Sequence, residues 1–188
     1  MPVIDNSWAL FLDRDGVINR RLPGEYVKKW EEFEWLPGGL EAIVGLAQKF
    51  GRVFVVTNQQ GIGKGLMTEE MLARIHASML EEVAAAGGRI DAVYHCPDLS
   101  THKPNCRKPA PAMALQAKRE FPEVDFRRSV MVGDSVSDMQ FGQALGMFTV
   151  LVSTKTDEAG ALQLAQGQGL KIGARFGSLY EFCANLLL

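Results

Sequence analysis

The chain has 188 residues, 47% of them hydrophobic and 22% charged, and a net charge of -2, which describes one ordinary globular domain spanning 1–188 with enough chain to bury a full core. The near-neutral balance excludes the basic footprint of a nucleic-acid binder, and no apolar run is long enough to span a bilayer. Met1-Pro2-Val3-Ile4-Asp5-Asn6 lacks the basic and apolar regions of a secretion signal, and three cysteines (Cys96, Cys106, Cys183) suit a reducing compartment better than a disulfide framework, so a cytoplasmic location is expected.

In chain order, Trp8 to Leu12 is an apolar run of strand type that stops at Asp13-Arg14-Asp15-Gly16. Arg20 to Glu34 follows as an irregular loop turning at Pro23-Gly24, with Tyr26, Trp30 and Trp35 as aromatic anchors. From Leu40 the apolar residues take helical spacing until Gly51. Arg52 to Val56 is a second buried strand, ending in Thr57-Asn58-Gln59-Gln60-Gly61. Thr68 is placed to cap a helix that runs to Gly87-Gly88. The pattern continues with a strand over Ile90–Tyr94, a Pro-rich loop over 97–109 and a helix over Pro111–Phe121. A strand over Ser129–Val132, a helix over Ser137–Leu145 and a strand over Phe148–Val152 follow. A weak strand over Leu170–Ile172 and a helix from Ser178 complete it.

This alternation predicts an α/β fold: a doubly wound parallel sheet with helices on both faces and sites at the carboxyl ends of its strands. Those ends carry Asp13 and Asp15, Thr57 and Asn58, and Asp134. Asp13 and Asp15 are spaced i, i+2 and so point to one side of an extended chain. Alone, the pair fits a nucleophile beside an acid/base or a solvated Asp-Gly turn equally well. Polar residues converging from three strands favour the site. Three carboxylates in one crevice must be neutralised, and oxygen-only ligands in an open site select Mg²⁺. A carboxylate attacking a phosphate dianion also needs a cation beside it, and Lys64 and Lys108 are the candidates.

Leu12-Asp13-Arg14-Asp15-Gly16, Val56-Thr57-Asn58, Arg107-Lys108-Pro109 and Val132-Gly133-Asp134 with Asp138 occur in the order seen in one family. With these motifs the chain resembles the haloacid dehalogenase (HAD) superfamily of phosphotransferases over nearly its whole length. Asp13 to Asn19, Thr57 to Gly65 and Cys106 to Pro109 resemble the branch acting on heptose bisphosphate and on histidinol phosphate, with the heptose side favoured. The resemblance implies a Mg²⁺-dependent sugar phosphatase working through an aspartyl phosphate. It implies Asp13 as nucleophile, Asp15 as acid/base, Thr57 as a phosphoryl ligand and Lys108 as the neutralising cation. Metal ligands would be Asp13, the backbone carbonyl of Asp15, and Asp134. Asp138 would orient the lysine, or be only an ordinary first-turn helix carboxylate. Asn58, Gln59, Gln60 and Arg107 would bind substrate, Arg107 by gripping a second phosphate in bidentate fashion.

No cap domain is expected, so the site should be shallow and roofed by the loops 19–26, 59–65 and 97–106, and a monomer is expected. Arg20, Arg21 and Tyr26 are candidate substrate contacts, or solvated charges and a packed ring. Relatives hold a structural zinc in the third loop, but here Cys96, His102 and Cys106 keep only part of a four-ligand set, and a zinc-free loop is expected. Gly61 to Gly65 lacks the spacing of a nucleotide-binding P-loop, and His76 is expected to be a helix-face residue rather than a ligand. A phospho-acceptor signalling domain is the non-enzyme alternative, and Asp15 argues against it because an acid/base shortens the life of a phosphoryl group.

Overall fold

Six apolar segments find their hydrogen bonds in one another. A computed structural model, describing residues 1–152 and 159–187, places them in one parallel sheet of order β3-β2-β1-β4-β5-β6. The strands are β1 (Ala9–Leu12), β2 (Arg52–Asn58), β3 (Ala92–Cys96), β4 (Ser129–Gly133), β5 (Phe148–Val152) and β6 (Ala174–Phe176). From β1 the chain winds outward to β2 and β3, then returns to lay β4 on the opposite edge of β1. The switch point therefore lies between β1 and β4, where a crevice opens at the carboxyl ends.

Alternation along the strands sorts the core onto two faces. Leu10, Leu12, Val53, Val55, Val130 and Val132 face one layer. They pack against Ile43 and Leu46 of α1 (Gly39–Lys49), Leu72, Ile75 and Met79 of α3 (Glu69–Ala85), and Phe182 of α7 (Leu179–Leu187). Phe11, Phe54, Val56 and Met131 face the other, against Met113, Ala114 and Ala117 of α4 (Ala112–Glu120) and Phe141 of α5 (Val136–Ala144). Both faces being covered explains why these strands are apolar throughout rather than alternating.

Differences from the expected elements have local causes. The third strand begins at Ala92, because Asp91 closes the approach to β2: its backbone N–H donates to the Val53 carbonyl and its carboxylate accepts from Val53 N. The last strand forms at Ala174–Phe176 instead of 170–172. Lys171 is held by side chains, its N–H donating to Gln143 Oε1 at 2.6 Å and its carbonyl accepting from Thr149 Oγ1 at 3.1 Å. A helix the pattern concealed, α6 (Ala159–Gly167), packs Leu162 and Ala165 against Met139 and Leu151. A single turn, α2 (Gln60–Gly63), follows β2. Among the described residues, no helix is long and apolar enough to cross a membrane.

The loop after β1 is tied down by its aromatics, as expected. Trp30 stacks on Phe33 at 4.6 Å, Phe33 meets Trp35 edge-on at 5.1 Å, and Trp35 Nε1 donates to Glu82 of α3 at 2.7 Å.

Candidate active site

β1 extends one residue past its end through Asp13, whose N–H donates to the Val132 carbonyl at 2.9 Å. The chain then turns tightly, with the Arg14 carbonyl accepting from Val17, Ile18 and Asn19. Gly16 sits at φ +97, and a Cβ there would run into the Asp134 carboxylate. The turn after β1 can approach the end of β4 only because position 16 has no side chain.

Asp13, Asp134 and Asp138 bring carboxylate oxygens within 4.8 Å of one another. Lys108 answers them from the buried side. Its Nζ lies 2.7 Å from Asp13 Oδ1, 2.6 Å from Asp138 Oδ1 and 2.7 Å from the Val56 carbonyl, so all three ammonium protons have acceptors. Burial would depress the lysine, but Asp13 and Asp138 hold its pKa above the ordinary value. Asp13 moves the other way. Burial first, then the charges of Asp138 and Asp134, push it up to about 7 despite Lys108.

Asp138 serves two neighbours. Its Oδ2 accepts from Ser135 N and Oγ while Ser135 Oγ accepts from Asp138 N, a capping box that starts α5. Both readings of this residue hold, as helix-start carboxylate and as lysine partner. Gly133 allows the approach, since a Cβ there would meet the Asp138 side chain.

Asp15 is turned toward its own set of donors. Arg14 Nη2 reaches both carboxylate oxygens at 3.1 and 3.0 Å, Asn19 Nδ2 donates to Oδ1 at 3.0 Å, and Gln59 Nε2 donates to Oδ2 at 2.8 Å. Burial would raise this acid, but Arg14 and the donors from Asn19 and Gln59 outweigh it and hold the pKa low. The Asp15 carboxylate stands outside the oxygen cluster that Asp13, Asp134 and Asp138 form.

Of the amides expected as substrate contacts, Asn58 and Gln59 line the cleft and are also bonded within the chain. Asn58 Oδ1 accepts from Lys108 N at 3.0 Å and its Nδ2 faces the Lys108 carbonyl at 3.4 Å, so it clamps the lysine backbone. Gln59 is buried and also donates to Thr57 Oγ1 at 2.9 Å, linking two site residues. Gln60 is half-buried at the start of α2. Arg107 donates from Nη1 to the Asp98 carbonyl at 3.4 Å. Spacing alone could not separate an amide facing substrate from one facing the chain.

A cleft of about 100 Å³ holds Asp13, Thr57, Lys108 and Asp134 on its floor, with Arg21, Glu25 and Tyr26 from the loop after β1 above. Arg21 approaches Asp134 at 3.8 Å, whereas Arg20 pairs with Glu34 at the surface at 3.2 Å. Lys64 is exposed, with its Nζ 5.4 Å from the Tyr26 ring centroid. The loops over 59–65 and 97–106 are joined by Gly63 N donating to the Pro97 carbonyl. One expectation is corrected here. Cys96 and Cys106 form a disulfide, their Cα atoms 5.5 Å apart, because the loop returns beside the end of β3. His102 is exposed and takes no part in that group, and Asp98 faces Cys106 instead, accepting from its N–H at 3.0 Å. His76 lies on the α3 face that carries Leu72, Ile75 and Met79. It is buried and hydrogen-bonded to Arg14.

The donor set fits a hard divalent cation. Asp13 and Asp134 present only oxygen, and together with Asp138 they set three carboxylates around one buried ammonium. Such a floor, with a carboxylate backed by a lysine, is suited to phosphoryl transfer.

Comparison with known proteins agrees with this geometry. A family model described as HAD-hydrolase-like matches residues 105–174. A D-glycero-alpha-D-manno-heptose-1,7-bisphosphate 7-phosphatase of Mycobacterium tuberculosis is 39% identical over 181 residues, covering 94% of this chain and 90% of that protein. A D-glycero-beta-D-manno-heptose-1,7-bisphosphate 7-phosphatase of Vibrio cholerae is 40% identical over 155 residues, covering 78% and 81%. Among solved structures, the D,D-heptose 1,7-bisphosphate phosphatase of B. bronchiseptica, complexed with magnesium and phosphate, superposes with a TM-score of 0.83 at 36% identity, covering 96% of this chain and 98% of that one.

Proposed function

The chain belongs to the HAD superfamily of phosphoric monoester hydrolases, and we propose that it is a Mg²⁺-dependent phosphatase that removes the 7-phosphate of D-glycero-D-manno-heptose 1,7-bisphosphate. The observation that carries this reading is the Asp13–Lys108–Asp138 cluster beside Asp134 at the sheet's switch point. Asp13, Asp134 and the Asp15 carbonyl would hold Mg²⁺, which supplies positive charge to the phosphoryl oxygens when bound.

With Lys108 against Oδ1, Asp13 Oδ2 is the oxygen assigned to attack phosphorus. The Asp13–phosphorus bond forms as the ester oxygen departs; Asp15, held ionised in the free chain, takes up a proton from water as the substrate enters and passes it to that oxygen. Thr57 donates its hydroxyl to the phosphoryl group. In the second half, water attacks phosphorus, Asp15 takes its proton, and Asp13 is released with inorganic phosphate. Asn58 acts by fixing the Lys108 backbone, and Arg107 takes the second phosphate of the substrate. The whole chain works as one capless domain, as a monomer. A cytoplasmic setting is our reading from the sequence, and the Cys96–Cys106 disulfide opposes it, so counting free thiols on freshly extracted protein tests it.

The experiment is phosphate release from heptose 1,7-bisphosphate and from histidinol phosphate, side by side with Mg²⁺. A strong preference for the bisphosphate is expected, along with loss of release in EDTA and in Asp13→Asn. Preference for histidinol phosphate would overturn the substrate while leaving the chemistry. Vigorous turnover by Asp13→Asn would overturn the nucleophile. Relatives named for the alpha and the beta substrate match this chain at similar identity, so both anomers belong in the assay.

A further inference from the structure

Arg14 is a fully buried cation directly behind the site, at 0% exposure. Burying a guanidinium is costly, and an apolar residue of similar volume would generally fill the space as well or better. Its contacts say what it is there for. Nη2 lies on both oxygens of Asp15, and Nη1 lies 3.1 Å from His76 Nε2. Its Nε is buried without a hydrogen-bond partner. A cation left partly unsatisfied is a poor choice for stability, so the arrangement is kept for where it puts its partners.

Arginine can only donate. His76 Nε2 must therefore be the acceptor, which makes His76 neutral with its proton on Nδ1. Burial first, then Arg14 and His95, depress its pKa to about 3, in agreement. His76 stands on α3, which Thr68 caps and which Leu72, Ile75 and Met79 anchor in the core. His76 thus connects a rigid helix to a side chain that holds the loop after β1. Asn19 and Gln59 also bind Asp15, but only Arg14 spans both its oxygens.

We propose that His76 is a positioning residue: by accepting from Arg14 it sets the guanidinium that aims the Asp15 carboxylate at the departing ester oxygen. This rests on the assignment of Asp15 as acid/base above. A misaimed acid should harm esters in proportion to how much their leaving group needs a proton. A lost fold or a weakened metal site should harm all esters alike.

The test is kcat/KM with Mg²⁺ for aryl phosphates of rising leaving-group pKa, from 4-nitrophenyl to phenyl phosphate. His76→Leu is expected to lose about tenfold more on phenyl than on 4-nitrophenyl phosphate, a fraction of what general-acid catalysis supplies. His76→Gln, whose amide oxygen can accept from Arg14, should recover most of it. An even loss across the series, or no loss, overturns the proposal. Should His76→Leu not fold, Arg14→Lys decides: it keeps the charge but cannot span both partners, so it must show the same uneven loss, and an even one overturns the proposal. Asp15→Asn separates the two levels of the argument. If it shows the uneven loss and the His76 variants do not, only the positioning role falls. If it shows none, the acid/base assignment falls and takes the positioning role with it.

Discussion

Asp138 divides two oxygens between two tasks, and the division is testable. Oδ1 compensates Lys108, and Oδ2 starts α5 through Ser135. Ser135→Ala removes the cap alone and should cost about 1 kcal/mol in urea unfolding with kcat within about twofold of the parent. Asp138→Asn removes the charge, leaves Lys108 with Asp13 and Val56, and should lower kcat by at least about tenfold through the weakened electrostatics at the nucleophile. If the two variants lost activity equally, the lysine role would be unnecessary. Gly16 is a second residue where geometry sets the outcome. Gly16→Ala must accommodate a positive φ and move the Asp134 carboxylate. The expected result is a raised Mg²⁺ requirement, read by metal titration, with a stability loss of about 1 kcal/mol or more from the backbone.

At the scale of elements, the loop between β3 and Lys108 carries the residue we assign to the second phosphate. Its two ends are joined by Cys96–Cys106, at a separation of 10 residues, so Arg107 emerges from a closed loop. Opening it with Cys106→Ser should lower stability by about 2 kcal/mol, as expected for a short loop, measured by denaturant unfolding against the oxidised parent. The same variant should raise KM for the bisphosphate more than for a simple aryl phosphate, because Arg107 loses part of its support while Lys108 keeps Asn58. An equal change in both would place the loop's effect on the whole site. The loop was legible as Pro-rich and irregular. Its closure was not, because a cysteine count cannot say which two sulfurs the backbone brings together.

For the whole molecule, His76 makes stability depend on pH. Its folded pKa, about 3, lies below the unfolded value of 6.5. Below pH 6.5 the unfolded chain takes up a proton that the folded chain refuses until about pH 3, so stability falls as pH falls through that window. At pH 4.5 the loss from this one group is on the order of 2 kcal/mol. His76→Gln should unfold with a shallower acid limb, measured by denaturant titration at pH 7 and 4.5, and parallel limbs would contradict a buried neutral histidine. The sequence by itself determined the α/β class, five of the six strands and the edge that carries Asp13, Asp15, Thr57 and Asp134. Apolar runs, i, i+2 spacing and strand termini are local properties that one chain displays in order. The tertiary structure alone decided that Asn58 and Gln59 turn inward to Lys108, Asp15 and Thr57. It alone decided that Cys96 meets Cys106, and that His76, 62 residues from Arg14, bonds to the guanidinium that holds Asp15. Those are pairings across the sequence, and only the packing of distant elements selects which partner a polar side chain finds.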